Sequence, residues 1–165
     1  EAYAEFCEEE ISMIPYINDY KNLVVLKTFS KAYALAGARV GYAIAHEEVI
    51  DLINTVKSPY NLNMFSQLVG TWAISHHEYA LENAKKIIAE RSGLDESLRL
   101  LGFKTYVSYS NFIWLEMPDY LFDALKEKKI YIRRMTVNDK FYYRITVGTP
   151  EENKQLIEGI KACMK

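Results

Sequence analysis

The sequence predicts an α/β fold that continues into a smaller α+β part, and two observations carry this prediction. In the first half, short β-branched runs lead directly into a segment with helical periodicity. Toward the end, several strand-like runs are interleaved with two amphipathic helical segments. We expect residues 1–92 to form part of a large α/β domain, including long linking helices, and residues 93–165 to form a small α+β domain.

Two strand-like runs open the α/β part. The segments NLVVLKTF (22–29) and VGYAIA (40–45) are apolar and β-branched, which is typical of strands buried in a parallel sheet. The next segment, HEEVIDLINTVKS (46–58), has the apolar spacing of a helix and stops before Pro59. Its apolar positions are Val49, Ile50, Ile53 and Val56.

The middle of the chain is predicted to be helical for some forty residues, up to Gly102. Apolar residues first follow one helical face and then another, so that two helices in succession are indicated. The first face carries Met64, Phe65, Leu68, Val69 and Trp72, and the second carries Leu81, Ala84, Ile87, Ile88, Leu94, Leu98 and Leu101.

The last part mixes strands and helices. Residues 103–117 predict two strands or one bent strand, DYLFDALKEKK predicts a helix, and IYIRRM and FYYRITVG predict strands. The final helix has the clearest start, because Thr149 is placed as N-cap, Pro150 at the first helical position and Glu152 at the capping-box position.

Composition excludes several classes of function. The 165 residues are 50% apolar with a formal net charge of −2, and the charges form no basic block of the kind that binds nucleic acid. No apolar run approaches the roughly 18 to 20 residues of a membrane span. Cys7 and Cys163 are too few for a disulfide framework, which favours a cytoplasmic protein. No metal site is predicted either, because His76, His77 and Glu78 point in different directions on a helix.

The segment TFSKAYALAGARVGY (28–42) carries the strongest signal of chemistry. Lys31 stands among small residues, with Thr28 and Ser30 just before it and Arg39 eight positions after it. Two hydroxyls and a guanidinium can bind a phosphate group, and a lysine amine can form a Schiff base with an aldehyde. These residue types therefore predict a site for a phosphate-bearing aldehyde cofactor.

This segment resembles the cofactor-lysine signature of the class I/II, fold-type I aminotransferases, which use pyridoxal 5'-phosphate. Further segments, among them KSPYNLNMFSQ, SNFIWLE, IYIRR and YYRITVGTPEEN, are similar to the histidinol-phosphate aminotransferase branch of that family. The resemblance runs over essentially the whole chain and covers the C-terminal portion of such an enzyme. It implies the family's large domain followed by its small domain.

The resemblance implies roles for residues of the cofactor site. Lys31 matches the lysine that carries the cofactor and then moves a proton, which makes it the catalytic residue. Thr28, Ser30 and Arg39 match the group that binds the cofactor phosphate. Tyr3 matches the tyrosine that contacts the cofactor's phenolic oxygen.

The resemblance also implies substrate-binding residues. Arg144 matches the arginine that binds the substrate α-carboxylate, and Arg133 matches an arginine near the distal phosphate, although Arg134 beside it departs from the family pattern. Asn111, Tyr60 and Asn61 match positions at the substrate entrance, where they are also open to an interpretation as turn and packing residues. The substrates implied are amino acids and keto acids, and the full-length protein is expected to be a homodimer.

In the family, the tyrosine that Tyr3 matches is the last residue of a motif that reads Asp, any residue, Ala, Tyr. In this sequence the position of the Asp falls before Glu1. We therefore expect the chain to be a C-terminal portion of a longer aminotransferase and incomplete for catalysis alone. The favoured function is transfer of an amino group between histidinol phosphate and 2-oxoglutarate in histidine biosynthesis. A threonine-phosphate decarboxylase, an aromatic aminotransferase of the same fold and a folded, non-catalytic fragment that self-associates remain open as alternatives.

Overall fold

The structure is a computed structural model that describes residues 1–9 and 11–164. The chain divides into two compact units, of which the first is Glu1–Ala84 and the second begins at Lys85. The predicted domain boundary between residues 92 and 93 stays a prediction.

The first unit contains a two-stranded sheet of β1 (Val24–Thr28) and β2 (Gly41–Ala45). The strands pair antiparallel, with Thr28 opposite Gly41 at one end, so the expected parallel arrangement of these two runs is wrong. The physical reason is the connection. Residues 29–40 contain only one 3-10 turn, Ala36–Ala38, whereas parallel neighbours need a longer crossover that is usually an α-helix.

Both helices predicted in the first unit are present, as α1 (Glu47–Val56) and α2 (Met64–Ser75). The side chain of Asn63 accepts a hydrogen bond from the backbone N–H of Ser66 and thereby caps α2. The apolar face predicted for α2 lies largely in solvent within this chain, with Phe65 80% exposed. The helix instead buries its small residues Ser66, Gly70 and Ala73.

A long helix, α3 (His77–Leu100), follows and ends at Gly102, whose φ of 87° is favourable only for glycine. The second unit then contributes a four-stranded antiparallel sheet in the order β3-β4-β6-β5, flanked by two helices. The elements are β3 (Lys104–Tyr106), β4 (Phe112–Glu116), α4 (Asp119–Glu127), β5 (Arg133–Val137), β6 (Lys140–Thr146) and α5 (Pro150–Cys163).

The strand predicted from IYIRRM begins only at Arg133. Ile130 and Ile132 pack against the core of the second unit instead, after a left-handed residue at Lys129. From Arg133 the chain forms a hairpin whose turn residues, Asn138 and Asp139, both have positive φ. This is the backbone of a type I′ turn, which matches the natural twist of paired strands.

The core of the second unit lies between one face of the sheet and helices α3, α4 and α5. Its fully buried side chains include Leu98, Ile113, Leu115, Leu121, Leu125, Tyr143, Ile145 and Ile160. The predicted start of α5 is confirmed, because Thr149 and Glu152 form a capping box and Pro150 opens the helix. Strand alternation leaves the opposite face of the sheet to Phe112, Trp114, Tyr142, Arg144 and Arg133.

Asp119 ties the first turn of α4 to the sheet. Its Oδ1 accepts hydrogen bonds from the Tyr143 hydroxyl at 2.5 Å and from Arg134 Nη1 at 2.8 Å. These two bonds, the first from Tyr143, hold the pKa of Asp119 below its ordinary value. The carboxylate therefore stabilises the fold above its unfolded pKa of about 4, and this contribution is lost as the pH falls through the lower pKa of the folded state.

We expect Asp119→Asn to lower the free energy of unfolding at pH 7 and to do so less and less as the pH falls below about 4. Urea unfolding of both proteins between pH 3 and pH 7 measures the difference directly. Asp51→Asn, at an exposed position of α1, is the matched control. A gap between wild type and Asp119→Asn that stays constant across this range would contradict the assignment.

Candidate functional site

The site in the first unit is built on the turn that follows β1. Thr28 is the last residue of this strand, and its hydroxyl accepts a hydrogen bond from the backbone N–H of Ser30 at 3.1 Å. The backbone N–H of Phe29 donates a hydrogen bond to the carbonyl oxygen of Val40 at 3.1 Å. The aromatic ring of Phe29 is buried in the core. Thr28 thus fixes the turn that presents Ser30 and Lys31.

Lys31 is half-buried, and its amine lies 5.5 Å from the centre of the Tyr3 ring. Across residues 1–9 and 11–164, this amine forms neither a hydrogen bond nor an ion pair. The hydroxyl of Ser30 is likewise without a hydrogen bond in this part of the chain. Ser30 and Lys31 therefore lie on one turn, with the ring of Tyr3 near the lysine amine. No carboxylate of the described residues neutralises this amine.

A second lysine nearby has the opposite environment. Lys27 Nζ lies 2.8 Å from a carboxylate oxygen of Glu5 and 3.6 Å from one of Glu1. Burial acts to lower the pKa of Lys27, but the bonded Glu5 and the charge of Glu1 outweigh it, so that the pKa is raised. Lys27 is thus a protonated structural cation, whereas Lys31 has no such partner.

Sequence reasoning missed this cluster of Glu1, Glu5 and Lys27. The signal was present, because a lysine within an otherwise apolar strand requires a buried partner. Glu1 also accepts a hydrogen bond from the backbone N–H of Met13 at 2.7 Å, which helps to lower the pKa of its carboxyl against the opposing effect of burial. The cluster fixes the segment that carries Tyr3 against β1.

Arg39 lies at the far end of the same connection. It is exposed, has a left-handed backbone with φ of 54°, and donates from Nη1 to the carbonyl oxygen of Ala36 at 3.1 Å. The hydroxyl of Ser66 on α2 donates to the carbonyl oxygen of Ala38 at 2.6 Å and so anchors this turn. Ser66 thus helps to hold the turn that carries Arg39, and the sequence did not indicate this role.

Gly41 lets β2 approach β1 next to Thr28. A Cβ atom placed at Gly41 would lie 2.9 Å from the carbonyl oxygen of Lys27, a backbone atom that cannot move aside. We expect Gly41→Ala to displace the strand and to lower the free energy of unfolding by about 1–3 kcal/mol. Gly37→Ala is the matched control, because nothing lies within 4 Å of its added methyl group. Equal thermal unfolding midpoints of the two variants would contradict this account.

These residues fit a phosphate-bearing aldehyde. Within the described residues, the site offers a half-buried lysine whose amine has neither a hydrogen bond nor an ion pair, the unbonded hydroxyl of Ser30 beside it, and a guanidinium that is bonded to a carbonyl oxygen rather than to a carboxylate. An amine in this state can bond to an aldehyde, and the hydroxyl and guanidinium can bind an anion. The observed chemistry is therefore consistent with the group that the sequence predicted.

The second unit carries the predicted arginines on neighbouring strands. Arg133 on β5 stands directly opposite Arg144 on β6, and Trp114 on β4 stands on the other side of Arg144. The Nε of Arg144 is buried without a hydrogen-bond partner among residues 1–9 and 11–164, and its guanidinium carbon lies 5.0 Å from the centre of the Phe112 ring. Like charges directly opposite each other destabilise a sheet, which favours an anionic ligand between them.

The neighbouring Arg134 has a structural role. It points to the other face of the sheet, where it pairs with Asp119 and stacks on the rings of Phe122 and Phe141 at 4.6 and 4.7 Å. Arg133, by contrast, is exposed and has no ion-pair partner in the described segments. The structure thereby gives the two adjacent arginines different environments, and the substrate role that the resemblance implied for Arg133 stays a prediction.

The remaining predicted residues are less engaged. Asn111 is half-buried, and its carbonyl oxygen accepts a hydrogen bond from the backbone N–H of Val147 at 2.9 Å. Tyr60 is 93% exposed and Asn61 is exposed, both on the connection between α1 and α2. Their assigned roles at a substrate entrance stay predictions.

Neither a metal-ligand cluster nor a membrane-spanning helix is present among the described residues. No cluster of three or more His, Cys, Asp or Glu side chains is arranged to hold a metal ion among them. None of their helices combines the length and the apolar character needed to cross a membrane.

Comparison with known proteins identifies the family. The model of aminotransferase class I and II matches residues 1–160. Histidinol-phosphate aminotransferase 1 of Carboxydothermus hydrogenoformans is 43% identical over 163 residues, which cover 97% of this chain and 46% of that protein. The chain thus spans about half the length of the curated relatives it matches.

Solved structures agree with this result. The histidinol-phosphate aminotransferase of Clostridium acetobutylicum superposes with a TM-score of 0.86 at 25% identity, covering 98% of this chain and 52% of that one. A decarboxylase from Sulfurospirillum multivorans gives the same TM-score and identity, covering 100% and 51%. The predicted α/β fold class is confirmed, and the chain belongs to the aminotransferase class I and II family.

Proposed function

We propose that this chain provides the cofactor lysine and the carboxylate-binding arginine of a pyridoxal phosphate-dependent aminotransferase that acts on histidinol phosphate. The observation that carries the proposal is the unpaired amine of Lys31, held beside Ser30 and Tyr3 in a chain of this family. The nearby Lys27, neutralised by Glu5 and Glu1, is the less suitable candidate for the reactive lysine.

Pyridoxal phosphate, when bound, supplies an electron-withdrawing ring that stabilises negative charge at the substrate Cα. The amine of Lys31 would hold the cofactor through its aldehyde, and in its free form it would serve as the base that moves a proton at the substrate Cα. The hydroxyl of Ser30 and the guanidinium of Arg39 would hold the cofactor phosphate, and the hydroxyl of Thr28, which here donates to the carbonyl oxygen of Val40 at 3.5 Å, would be a further donor. The ring of Tyr3 lies beside the lysine amine, and its hydroxyl would hold the cofactor's phenolic oxygen.

Arg144 binds the substrate α-carboxylate in this proposal. A guanidinium offers two parallel N–H groups to a carboxylate, which fixes the orientation of the amino acid as well as its position. The side chain has no carboxylate partner among the described residues, so its charge is available to a ligand. Arg133, exposed and opposite Arg144, binds the distal phosphate of the substrate.

Histidinol phosphate is the favoured substrate because curated relatives with that activity in their names are 34–43% identical over nearly the whole chain. Glutamate and 2-oxoglutarate form the second substrate pair, and the reaction belongs to histidine biosynthesis. A reducing cytoplasm fits the protein, since Cys7 and Cys163 are not joined by a disulfide.

Decarboxylation is the second candidate, because a solved decarboxylase is as similar in fold and identity as the solved aminotransferase. Threonine phosphate is the substrate that the sequence resemblance left open for such a reaction. Product analysis of the complete gene product separates the two. We expect glutamate to form from 2-oxoglutarate when histidinol phosphate is the amino donor. We expect no release of CO2 from threonine phosphate. Release of CO2 without amino transfer would favour the second candidate over the proposed reaction. The absence of both activities would favour the non-catalytic alternative.

We propose that the complete protein is a homodimer. The first unit leaves large apolar side chains in solvent on two successive helices, including Val56 at 82%, Met64 at 73% and Phe65 at 80% exposure. Faces of this kind are typical of surfaces that are covered in the assembled protein. Light scattering of the purified gene product is expected to give twice the chain mass, and a monomer at micromolar concentration would contradict the proposal.

A further inference from the structure

Two arginines of one sheet are held in contrasting ways. Arg134 is both oriented and neutralised, because two aromatic rings flank it and Asp119 pairs with it at 2.8 Å. Arg144 is also flanked by an aromatic ring, that of Phe112 at 5.0 Å, but no described carboxylate pairs with it. The ring is thus the contact that orients Arg144 while leaving its charge uncompensated.

The strand register explains how Phe112 reaches Arg144. Phe112 stands opposite Thr146 and Trp114 stands opposite Arg144, so Phe112 is the diagonal neighbour of Arg144 on the same face of the sheet. Diagonal neighbours lie roughly 7–8 Å apart at Cα, which is within reach of an arginine and an aromatic side chain. The contact therefore follows from the pairing of β4 with β6.

The position of Phe112 is itself fixed by the segment before β4. The hydroxyls of Ser108 and Ser110 both donate to the carbonyl oxygen of Phe112, at 2.5 and 3.2 Å. The carbonyl oxygen of the preceding Asn111 accepts the backbone N–H of Val147 at 2.9 Å. Three hydrogen bonds thus hold the backbone at the base of the ring.

The buried Nε of Arg144 makes this ring important. A buried N–H without an acceptor is costly, and the face of an aromatic ring is the compensating contact that the structure supplies. A carboxylate in place of the ring would satisfy Nε but would also compete with an incoming substrate carboxylate. An aromatic ring orients the guanidinium without taking part in that competition.

We infer that Phe112 is a positioning residue, which holds the guanidinium of Arg144 ready for an incoming carboxylate. The inference rests on the proposed function, in which Arg144 binds the substrate carboxylate. Without the ring, the guanidinium samples several orientations, and the carboxylate must select one of them at a cost in affinity.

The test is a titration of the ¹⁵N-labelled 165-residue chain with glutarate, a dicarboxylate without an amine, followed at the Nε–Hε signal of Arg144. We expect Phe112→Leu to weaken glutarate binding roughly three- to thirtyfold and Phe112→Tyr, which keeps the ring, to bind within about twofold of wild type. Hydrogen exchange at Nε–Hε is expected to accelerate in Phe112→Leu, which a general loss of packing elsewhere would not produce at this one signal.

Phe141→Leu is the matched control, because it removes an aromatic ring from the neutralised Arg134. The Phe141→Leu variant is expected to leave glutarate binding unchanged. If Phe112→Leu does not fold, Phe112→Met takes its place as the variant without a ring. Unchanged affinity in the ring-less Phe112 variants, with clear binding by the wild type, overturns the inference and leaves the proposed function intact. A wild-type Arg144 signal that glutarate does not move would overturn both the inference and the carboxylate-binding role of Arg144.

Discussion

Replacing Lys31 by alanine is expected to abolish covalent attachment of pyridoxal phosphate and to lower turnover of the complete protein by at least roughly 10²–10⁴-fold. Apart from its contact with the Tyr3 ring, the amine has no hydrogen-bond or ion-pair partner in the described parts of the chain, so its removal breaks no ion pair and is expected to leave the thermal unfolding midpoint nearly unchanged. Turnover is measured with histidinol phosphate and 2-oxoglutarate, and attachment is measured by borohydride reduction followed by mass spectrometry.

Lys57→Ala, at an exposed position just after α1, is the control and is expected to retain both properties. A pyridoxyl group that appears on another lysine of the Lys31→Ala protein, together with retained turnover, would remove Lys31 from its role. Lys27→Ala is expected to act differently, because it leaves the carboxylates of Glu1 and Glu5 without their cation and therefore lowers stability.

Replacing Arg144 by alanine is expected to reduce kcat/KM for the amino acid substrate roughly 10²–10⁴-fold, mainly through KM. Two charge-assisted hydrogen bonds to the carboxylate are lost, whereas the turn that holds Lys31 belongs to the other unit and is unaffected. Steady-state kinetics gives the loss, and the extent of borohydride-fixed labelling at Lys31 is expected to equal that of wild type.

Arg144→Lys keeps the charge and distinguishes geometry from electrostatics. An ammonium group cannot form the bidentate contact, so we expect this variant to recover only a small part of the lost affinity. Full recovery would show that charge alone is required. An Arg144→Ala protein with a wild-type KM would contradict the assignment of this arginine to the carboxylate.

Local signals in the sequence predicted the local structure well. The start of α5 is an example, because Thr149, Pro150 and Glu152 each favour a helix N-terminus and form a capping box within a few residues of sequence. The helices α1 and α2 were likewise predicted from their apolar spacing. In the site, the hydroxyl-bearing turn before Lys31 follows from Thr28 and Ser30 alone.

Features that depend on partners distant in sequence were not predicted correctly. The direction of β2 relative to β1 is set by the short connection at residues 29–40, which apolar patterning does not report. Periodicity identified the apolar stripe of α2 but carries no information on what covers it, and most of that stripe is exposed in this chain. The structural role of Arg134 depends on the phase of β5, which places this residue beside Asp119.

The contact between Phe112 and Arg144 had no sequence signal at all. One aromatic residue in a strand is commonplace, and only the register of β4 against β6 makes it a neighbour of the arginine. The same holds for Ser66, whose hydroxyl reaches the turn at Ala38 from a helix 28 positions further along the chain.

The most direct test of the central claim is to mix this chain with pyridoxal phosphate, reduce with borohydride and locate the pyridoxyl group by peptide mass spectrometry. The account predicts modification at Lys31, with Lys27 protected by Glu1 and Glu5. Modification spread over the exposed lysines with none at Lys31, in this chain and in the complete protein alike, would contradict it.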